Sequence, residues 1–242
     1  MSVTLDKEWD RAVPDDPCHV EIRSLLLGGD AEVIGSPSGG LVVASDRSVA
    51  GVIGSPSPSL VDRAVSTLAK DADLLVLPEG LAVVTSVMPR VTPQRAVIHR
   101  LASSLPTDPV EDVSVGEVDA SLLASLPDEL AEEVDGAVRA AVRWVDGVGV
   151  AVCGAWWPTE TLWDVGVDTL PGHRRRGHAR ACFLALARHM YEEGLTPVWG
   201  ALADNHASLR MAESLGFVPD GELFVVELGS ADTGRSAHTN DE

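Results

Sequence analysis

The sequence is short of positive charge. Its 242 residues hold 18 Lys and Arg against 37 Asp and Glu, a formal net charge of −19. Two of the 18 are Lys (Lys7 and Lys70) and the rest are Arg. Nucleic acid and anionic membrane surfaces both ask for a basic face, so neither is expected as a partner. An acidic surface instead permits mild steering of cationic substrates. Cysteine is scarce and odd in number: Cys18, Cys153 and Cys182, with no CxxC pair and no Cys/His ligand spacing. That excludes a disulfide framework, points away from a metal site and fits a reducing compartment. No run of 18 apolar residues occurs, and residues 1–13 (MSVTLDKEWDRAV) lack the apolar core of an export signal. The expected location is cytoplasmic. Also missing are Gly-x-x-x-x-Gly-Lys-Ser/Thr, Gly-x-Ser-x-Gly and His-Glu-x-x-His, which removes several large enzyme classes.

What is present is a globular composition. Hydrophobic residues make up 45%, enough to build a core in one large domain or two small ones. Residues 6–13 and 19–27 read as short helices, the second ended by Gly28-Gly29. β-branched runs at 33–34, 41–44 and 49–53, separated by Gly/Ser/Pro turns, read as strands. The hexapeptide VIGSPS occurs at 33–38 and again at 52–57. Residues 59–70 carry a helical apolar face, 74–77 suit a strand, and 81–88 suit either a buried helix or a buried strand. Residues 95–101 alternate as a strand, in which His99 reads as a packed residue rather than a ligand. The turn cluster at 106–109 (PTDP) is the expected boundary. Beyond it come a strand at 113–118 and a helix at 127–140, whose Asp128, Glu129, Glu132 and Glu133 suit the positive end of the helix dipole. A hairpin at 141–157 turns at Asp146-Gly147. A strand at 161–170, a helix at 177–193, a strand at 198–201, a helix at 207–215 and a strand at 223–228 follow. Residues 229–242 have no apolar periodicity and are expected to be a disordered tail.

One stretch concentrates the scarce positive charge. Arg174, Arg175, Arg176 and Arg180 lie together, flanked by His173 and His178, where a strand end passes through a loop into a helix. The first N–H groups of a helix lack partners within it, and the dipole adds partial positive charge. Gly177 lets a bulky anion approach the backbone, so the loop suits a phosphate. The bland alternative is a solvated, Arg-rich helix start. Cys182, on the apolar face of that helix, reads as an inert buried thiol.

The spacing Arg174-x-x-Gly177-x-Ala179 resembles the pyrophosphate motif, Arg/Gln-x-x-Gly-x-Gly/Ala, of the GNAT acetyltransferase superfamily. The segment 205–217 (NHASLRMAESLGF) resembles the family's second signature, an Asn opening a helix that closes in Gly-Phe. Both fall on the right elements and in the right order, over roughly residues 110–228. The resemblance implies an α/β fold of the α+β mixed-sheet kind. That is a GNAT-like acyl-CoA N-acyltransferase domain at 110–228, preceded by a smaller α/β N-terminal region at 1–105 and followed by a tail at 229–242. The loose similarity of element order in 1–105 is compatible with a degenerate GNAT-like half.

The resemblance further implies acetyl-CoA as co-substrate, no metal, and an amine acceptor on a small molecule or protein, reached by direct transfer in a ternary complex. The two central parallel strands would splay to admit the pantetheine arm, which would bond to backbone near Val167 and Thr169. Loop amides from Arg174 through Arg175, Arg176, Gly177 and His178 to Ala179 would hold the pyrophosphate. Asn205 would lie beside the thioester, or serve as a helix cap, or both. The family's usual acid, a Tyr four residues before the Gly of Gly-Phe, is Ala212 here, and the lone Tyr191 is on the preceding helix. Ser208 is the candidate donor to sulfur, or a local cap. Glu160 and Asp164 are the candidate bases; Asp168 is another, though its nearness to the pyrophosphate favours a structural role, and His173 could equally be a phosphate contact. Trp156, Trp157 and Trp163 would wall an acceptor pocket or simply pack. A non-catalytic acyl-CoA-binding or protein-interaction module with a decayed site is the alternative, and a homodimer is left open.

Overall fold

Turn chemistry and periodicity set the elements of this chain. The structure, a computed structural model, describes residues 5–102, 104–108 and 110–231. In chain order the elements are α1 (Lys7–Ala12), α2 (Val20–Gly28), β1 (Glu32–Ser36), β2 (Gly39–Val43), β3 (Val49–Gly54), α3 (Pro58–Val65), β4 (Asp73–Val76), α4 (Leu81–Val87) and β5 (Gln94–Leu101). There follow β6 (Val113–Glu117), α5 (Ala120–Ser125), α6 (Asp128–Val134), β7 (Arg139–Val145), β8 (Val148–Trp156), β9 (Leu162–Thr169), α7 (His178–Glu192), β10 (Thr196–Leu202), α8 (His206–Ser214) and β11 (Phe217–Glu227).

The chain divides into two compact units that interleave along the sequence. The first takes Met1–Pro14, Leu25–Ala96 and Glu222–Glu242, and the second takes Asp15–Ser24 and Val97–Gly221. Breaks expected at 105 and 110 therefore differ from the observed division. Strand pairing is the cause: the second half of β11 pairs antiparallel with β4 in the first unit, Phe224 opposite Val76. Segment 15–24 counts with the second unit because it is bonded to residues 158–161.

In the first unit, β1, β2 and β3 form an antiparallel meander, and β3 runs parallel to β4. Leu41, Val43, Ala50, Val52, Leu74, Val76 and Val226 make its core with Val61 and Ala64 of α3 and Val84 of α4. α4 settles the ambiguity at 81–88 as a helix. α3 stops at Val65, short of the expected residue 70. There Ser66 and Thr67 turn their hydroxyls back to the carbonyls of Arg63 and Ala64, at 2.6 and 2.7 Å, an alternative to continuing the helix.

In the second unit the strand order is β5, β10, β9, β8, β7, β6, with β5 also beside the first half of β11. β6 through β9 are antiparallel and β9–β10 is parallel. The β7–β8 turn has Asp146 and Gly147 both at positive φ, 51° and 80°, the geometry a two-residue hairpin favours. β8 is buried on both faces. Ala151, Cys153 and Ala155 pack under Cys182, Phe183 and Leu186 of α7. Val152 packs with Leu130 and Val134 of α6 on the other face. The helix expected at 127–140 ends at Val134, where Gly136 takes φ 96° and the chain turns into β7. α5 was not expected; Asp119 starts it by accepting the Leu122 N–H at 2.8 Å. Leu228–Ala231 forms a 3-10 turn where the tail was expected to begin. Residues 232–242, and Pro109 of the turn cluster, lie outside the described residues.

Phe183 anchors the α7 face. Its ring lies 6.5 Å from Trp163, 5.5 Å from Trp199 and 5.7 Å from Phe217, all buried. Phe183→Ala should cost about 3–5 kcal/mol of unfolding free energy, read as a lowered urea midpoint.

Candidate active site

β9 and β10 begin as neighbours and then part. Their pairing is confined to Thr196, Pro197 and Val198 opposite Leu162, Trp163 and Asp164, although β9 runs on to Thr169 and β10 to Leu202. The Asp164 carboxylate sits at the fork. The N–H groups of Val165 and Gly200 face it and partly offset the effect of its burial.

The groups facing the gap follow from the β8–β9 register. Leu170 N–H donates to Val150 O at 3.0 Å, and Asp168, Gly166 and Asp164 stand opposite Val152, Gly154 and Trp156. In an antiparallel ladder, bonded and non-bonded positions alternate. Even-numbered residues of β9 therefore bond to β8, and Val165, Val167 and Thr169 turn their N–H and C=O toward the β10 side.

Thr169 departs from the expectation. Its N–H donates to Asp168 Oδ1 at 2.7 Å, and its carbonyl accepts Arg174 Nε at 3.0 Å. Arg174, though exposed, is engaged as well: Nη2 lies 3.8 Å from Asp168, and its N–H closes a turn on Pro171 O at 3.4 Å. Both are engaged in holding the loop to the end of β9. Arg180 is also spent, donating to Asp108 at 2.7 Å and to Ser214 O at 3.3 Å.

Arg175, Arg176 and Gly177 are exposed. Arg175 takes φ 61° and Gly177 φ 82°, left-handed turns that aim successive amides to one side. Gly177 opens α7 with no side-chain cap and no acidic residue in the first turn, and a Cβ there would meet nothing within 4 Å. α8 is the contrast: Asn205 Oδ1 caps it by accepting the Ser208 N–H at 3.1 Å. Ala179 lies half-buried in the first turn of α7. Burial holds the His178 imidazole below its usual range, helped by Arg143, His173 and Arg176, so this side chain is a neutral lining rather than a cation.

The carboxylates sort themselves by environment. Burial, then the negative charge of Glu21, pushes the Asp164 carboxyl well above the usual range. Glu160 goes the other way. Arg23 donates to it from Nε at 2.7 Å and from Nη2 at 2.6 Å, and this pairing holds its carboxyl low. An acid so held is a poor base, and Glu160 belongs to a clamp. Thr159 and Thr161 donate to Asp15 at 2.6 and 2.7 Å, and Ser24 donates to Pro158 O at 3.0 Å. The clamp brings Glu21 of α2 toward Asp164.

Two further residues escaped sequence reasoning. Glu133 of α6 carries a carboxyl raised by burial and by Asp168. Its Oε1 would lie 3.0 Å from a Cβ at Gly166, and Trp156 Nε1 would lie 2.9 Å from that Cβ and 2.8 Å from one at Gly154. The signal for it was the pair of glycines on adjacent strands, a window that a large ring fills. Trp199 donates from Nε1 to Ser208 Oγ at 2.9 Å. Of the two readings of the tryptophans, packing holds for Trp163 and Trp156: Trp163 is in the α7 core, while Trp156 covers the glycine window on the other face. Cys182 is inert, its thiol pushed up to about 12 mainly by burial. Ala212 is fully buried, and Tyr191 is exposed near the far end of α7. Among the described residues, no cluster could hold a metal ion, and no helix is long and apolar enough to cross a membrane.

Residues 145–225 match the family model described as GNAT acetyltransferase. The chain has the GNAT acetyltransferase fold. It is similar to a GCN5-related N-acetyltransferase-like protein from Streptococcus suis 89/1591, with TM-score 0.69 and 19% identity over 91% of this chain and 98% of that one. A GNAT-family putative acetyltransferase from Novosphingobium aromaticivorans DSM 12444 gives 0.60 and 18% over 91% and 97%. A GCN5-related N-acetyltransferase from Kribbella flavida gives 0.61 and 17% over 87% and 93%. Alignments of that length take in residues of both units. No curated protein matches the sequence. The GNAT resemblance drawn from the 174–179 and 205–217 motifs thus holds.

The Arg23–Glu160 pair generates a stability prediction. A depressed carboxyl stabilises above the ordinary Glu range, and that contribution is lost as pH falls through its lowered value. Glu160 is 44% exposed, so solvent screening trims the gain. Glu160→Gln should cost about 1 kcal/mol at neutral pH. In urea titrations wild type and variant should converge in strong acid.

Proposed function

We propose that this chain is an acetyl-CoA-dependent N-acetyltransferase that moves acetyl to an amine by direct transfer in a ternary complex. The early end of the β9–β10 ladder carries the reading. It leaves a gap lined by backbone donors and acceptors, and the gap leads to an uncapped helix start beside Arg175 and Arg176. Those features suit an elongated amide-bearing arm ending in a pyrophosphate. Val165 and Val167 offer backbone groups to the arm. The amides of Arg175 to Ala179 meet the anion, and the free amide N–H groups of Asn205 remain available near the reacting end. Arg174 and Asp168 set the loop's position. Charge-assisted hydrogen bonds of this kind are worth about 1.5–3 kcal/mol each, and several anchor the donor.

Asp164 is the proposed base. An alkylamine with pKa about 10 is mostly protonated at neutral pH, so the acceptor must lose a proton before it attacks. A carboxylate raised toward the working pH is suited to take it, and the cation would also relieve the repulsion between Asp164 and Glu21. Ser208 is the proposed donor to the departing sulfur. The non-catalytic reading rests on the buried Ala212 in place of the usual phenol, and it predicts donor binding without turnover.

The region 1–105 is, on this account, a degenerate copy. Its strand–helix turn runs from Gly54 to α3, where Ser57 caps the helix by accepting the Leu60 N–H at 3.3 Å. The helix start that would meet an anion is already occupied by that cap, and every residue of β4 is paired with β3, leaving no gap.

Two outcomes follow. Gly177→Glu places a carboxylate where the pyrophosphate belongs, so calorimetry should find acetyl-CoA bound by wild type and not by the variant. Asp164→Asn should lower kcat about 100-fold or more in thiol-release assays against a panel of primary amines. Because the active form is the deprotonated one, wild-type kcat/KM should rise with pH up to the elevated Asp164 value. Binding in both proteins, or no dependence on Asp164, would count against these roles.

A further inference from the structure

Trp199 is 1% exposed. Its ring lies 5.5 Å from Phe183 and 5.5 Å from Phe217, at 63° and 66°. Edge-to-face contacts on two sides fix the plane of the indole. An indole N–H can only donate, so in the 2.9 Å bond from Nε1 to Ser208 the hydroxyl oxygen is the acceptor. The Ser208 proton must therefore point elsewhere. Serines near other helix ends spend theirs locally: Ser66, Ser86, Ser125 and Ser214 donate to the carbonyls of Arg63, Val83, Leu122 and Met211. Among the described residues, no protein acceptor takes the Ser208 proton. The Asn205 cap, accepting the Ser208 N–H at 3.1 Å, fixes the backbone at the same point. Ser208 thus has position, orientation and an unspent donor. It stands one helical turn before the buried Ala212, which occupies the place of the usual acid.

We propose that Trp199 is a positioning residue whose indole N–H aims the Ser208 hydroxyl at the sulfur of a bound acyl-CoA. This rests on the acetyl-CoA reading above. In the transfer, the amine nitrogen bonds to the carbonyl carbon and the carbon–sulfur bond breaks, its electron pair passing to sulfur. The proton lost by nitrogen ends on sulfur. Ser208 donates a hydrogen bond to the sulfur as charge develops and leaves the cycle as a hydroxyl, while the proton that Asp164 took from the ammonium acceptor passes to solvent.

The test needs no acceptor. CoA is bound to the full-length protein, and its thiol is titrated by thiolate ultraviolet absorption, with the complex of desulfo-CoA as the blank for protein cysteines. A hydroxyl donating to the thiolate should hold the bound thiol about one pH unit lower in wild type than in Ser208→Ala. Trp199→Phe should fall between the two, because the hydroxyl remains but is no longer aimed. Trp199→Phe should add nothing in the Ser208→Ala background, and Ser208→Thr should restore most of the shift. Equal thiol titration in wild type and Ser208→Ala overturns the proposal, and that comparison stands even if Trp199→Phe misfolds. A Trp199→Phe effect undiminished in Ser208→Ala also overturns it, by showing that the ring acts through packing. Calorimetry separates the two levels: CoA bound with unshifted titration defeats the inference alone, whereas no CoA binding defeats the acetyl-CoA reading as well.

Discussion

The organisation of the second unit depends on where the parallel β9–β10 ladder stops. Asp164 is the last residue of β9 to pair with β10, and its carboxylate faces the Gly200 N–H beyond the end of that pairing. Pairing ends at Asp164 itself on β9 and at Val198, two residues before Gly200, on β10. A sheet interior with unpaired N–H and C=O groups is costly unless a partner or water reaches them. On the proposed reading, a hydrogen-bonding ligand in the gap would satisfy those groups. The same carboxylate then finds itself half-buried near Glu21, which raises its proton affinity. Structure and proposed chemistry thus share one residue.

Charge is deployed in a matching way. The chain is acidic overall, yet its Arg cluster is not simply a positive patch. Arg174 ties the loop to the end of β9, Arg180 ties α7 to α8, and only Arg175 and Arg176 of the cluster are left facing solvent without an ion pair among the described residues. The neutral His178 adds no charge. Anion binding at this loop, as proposed, would rely on the open helix start and its left-handed turns as much as on guanidinium groups.

Much of this was readable from local chemistry. Asp146-Gly147, the Asn205 cap and Gly177 each have short-range reasons to be what they are, and each appears where the sequence placed it. Long-range partners were not readable. Glu160 looked like a base until Arg23, 137 positions away in sequence, proved to hold it. Thr169 and Arg174 looked like ligand contacts because spacing shows which groups are near a loop, not which ones bond to each other. The tryptophans could be read as a pocket wall or as packing, and alternation along β8 and β9 sends Trp156 and Trp163 into packed clusters on opposite faces. Helix length was overestimated at 59–70 and 127–140, where hydroxyl back-bonding and Gly136 ended periodic runs early.

Amide hydrogen exchange with and without acetyl-CoA tests the central claim most directly. Val167 N–H faces the gap, and the first amides of α7 have no capping side chain, so they should exchange quickly in the free protein. Marked slowing at Val167 together with His178 and Ala179 on adding acetyl-CoA is the predicted result. Binding that leaves those amides unchanged and protects others would contradict the account, because the ligand would then lie outside the fork.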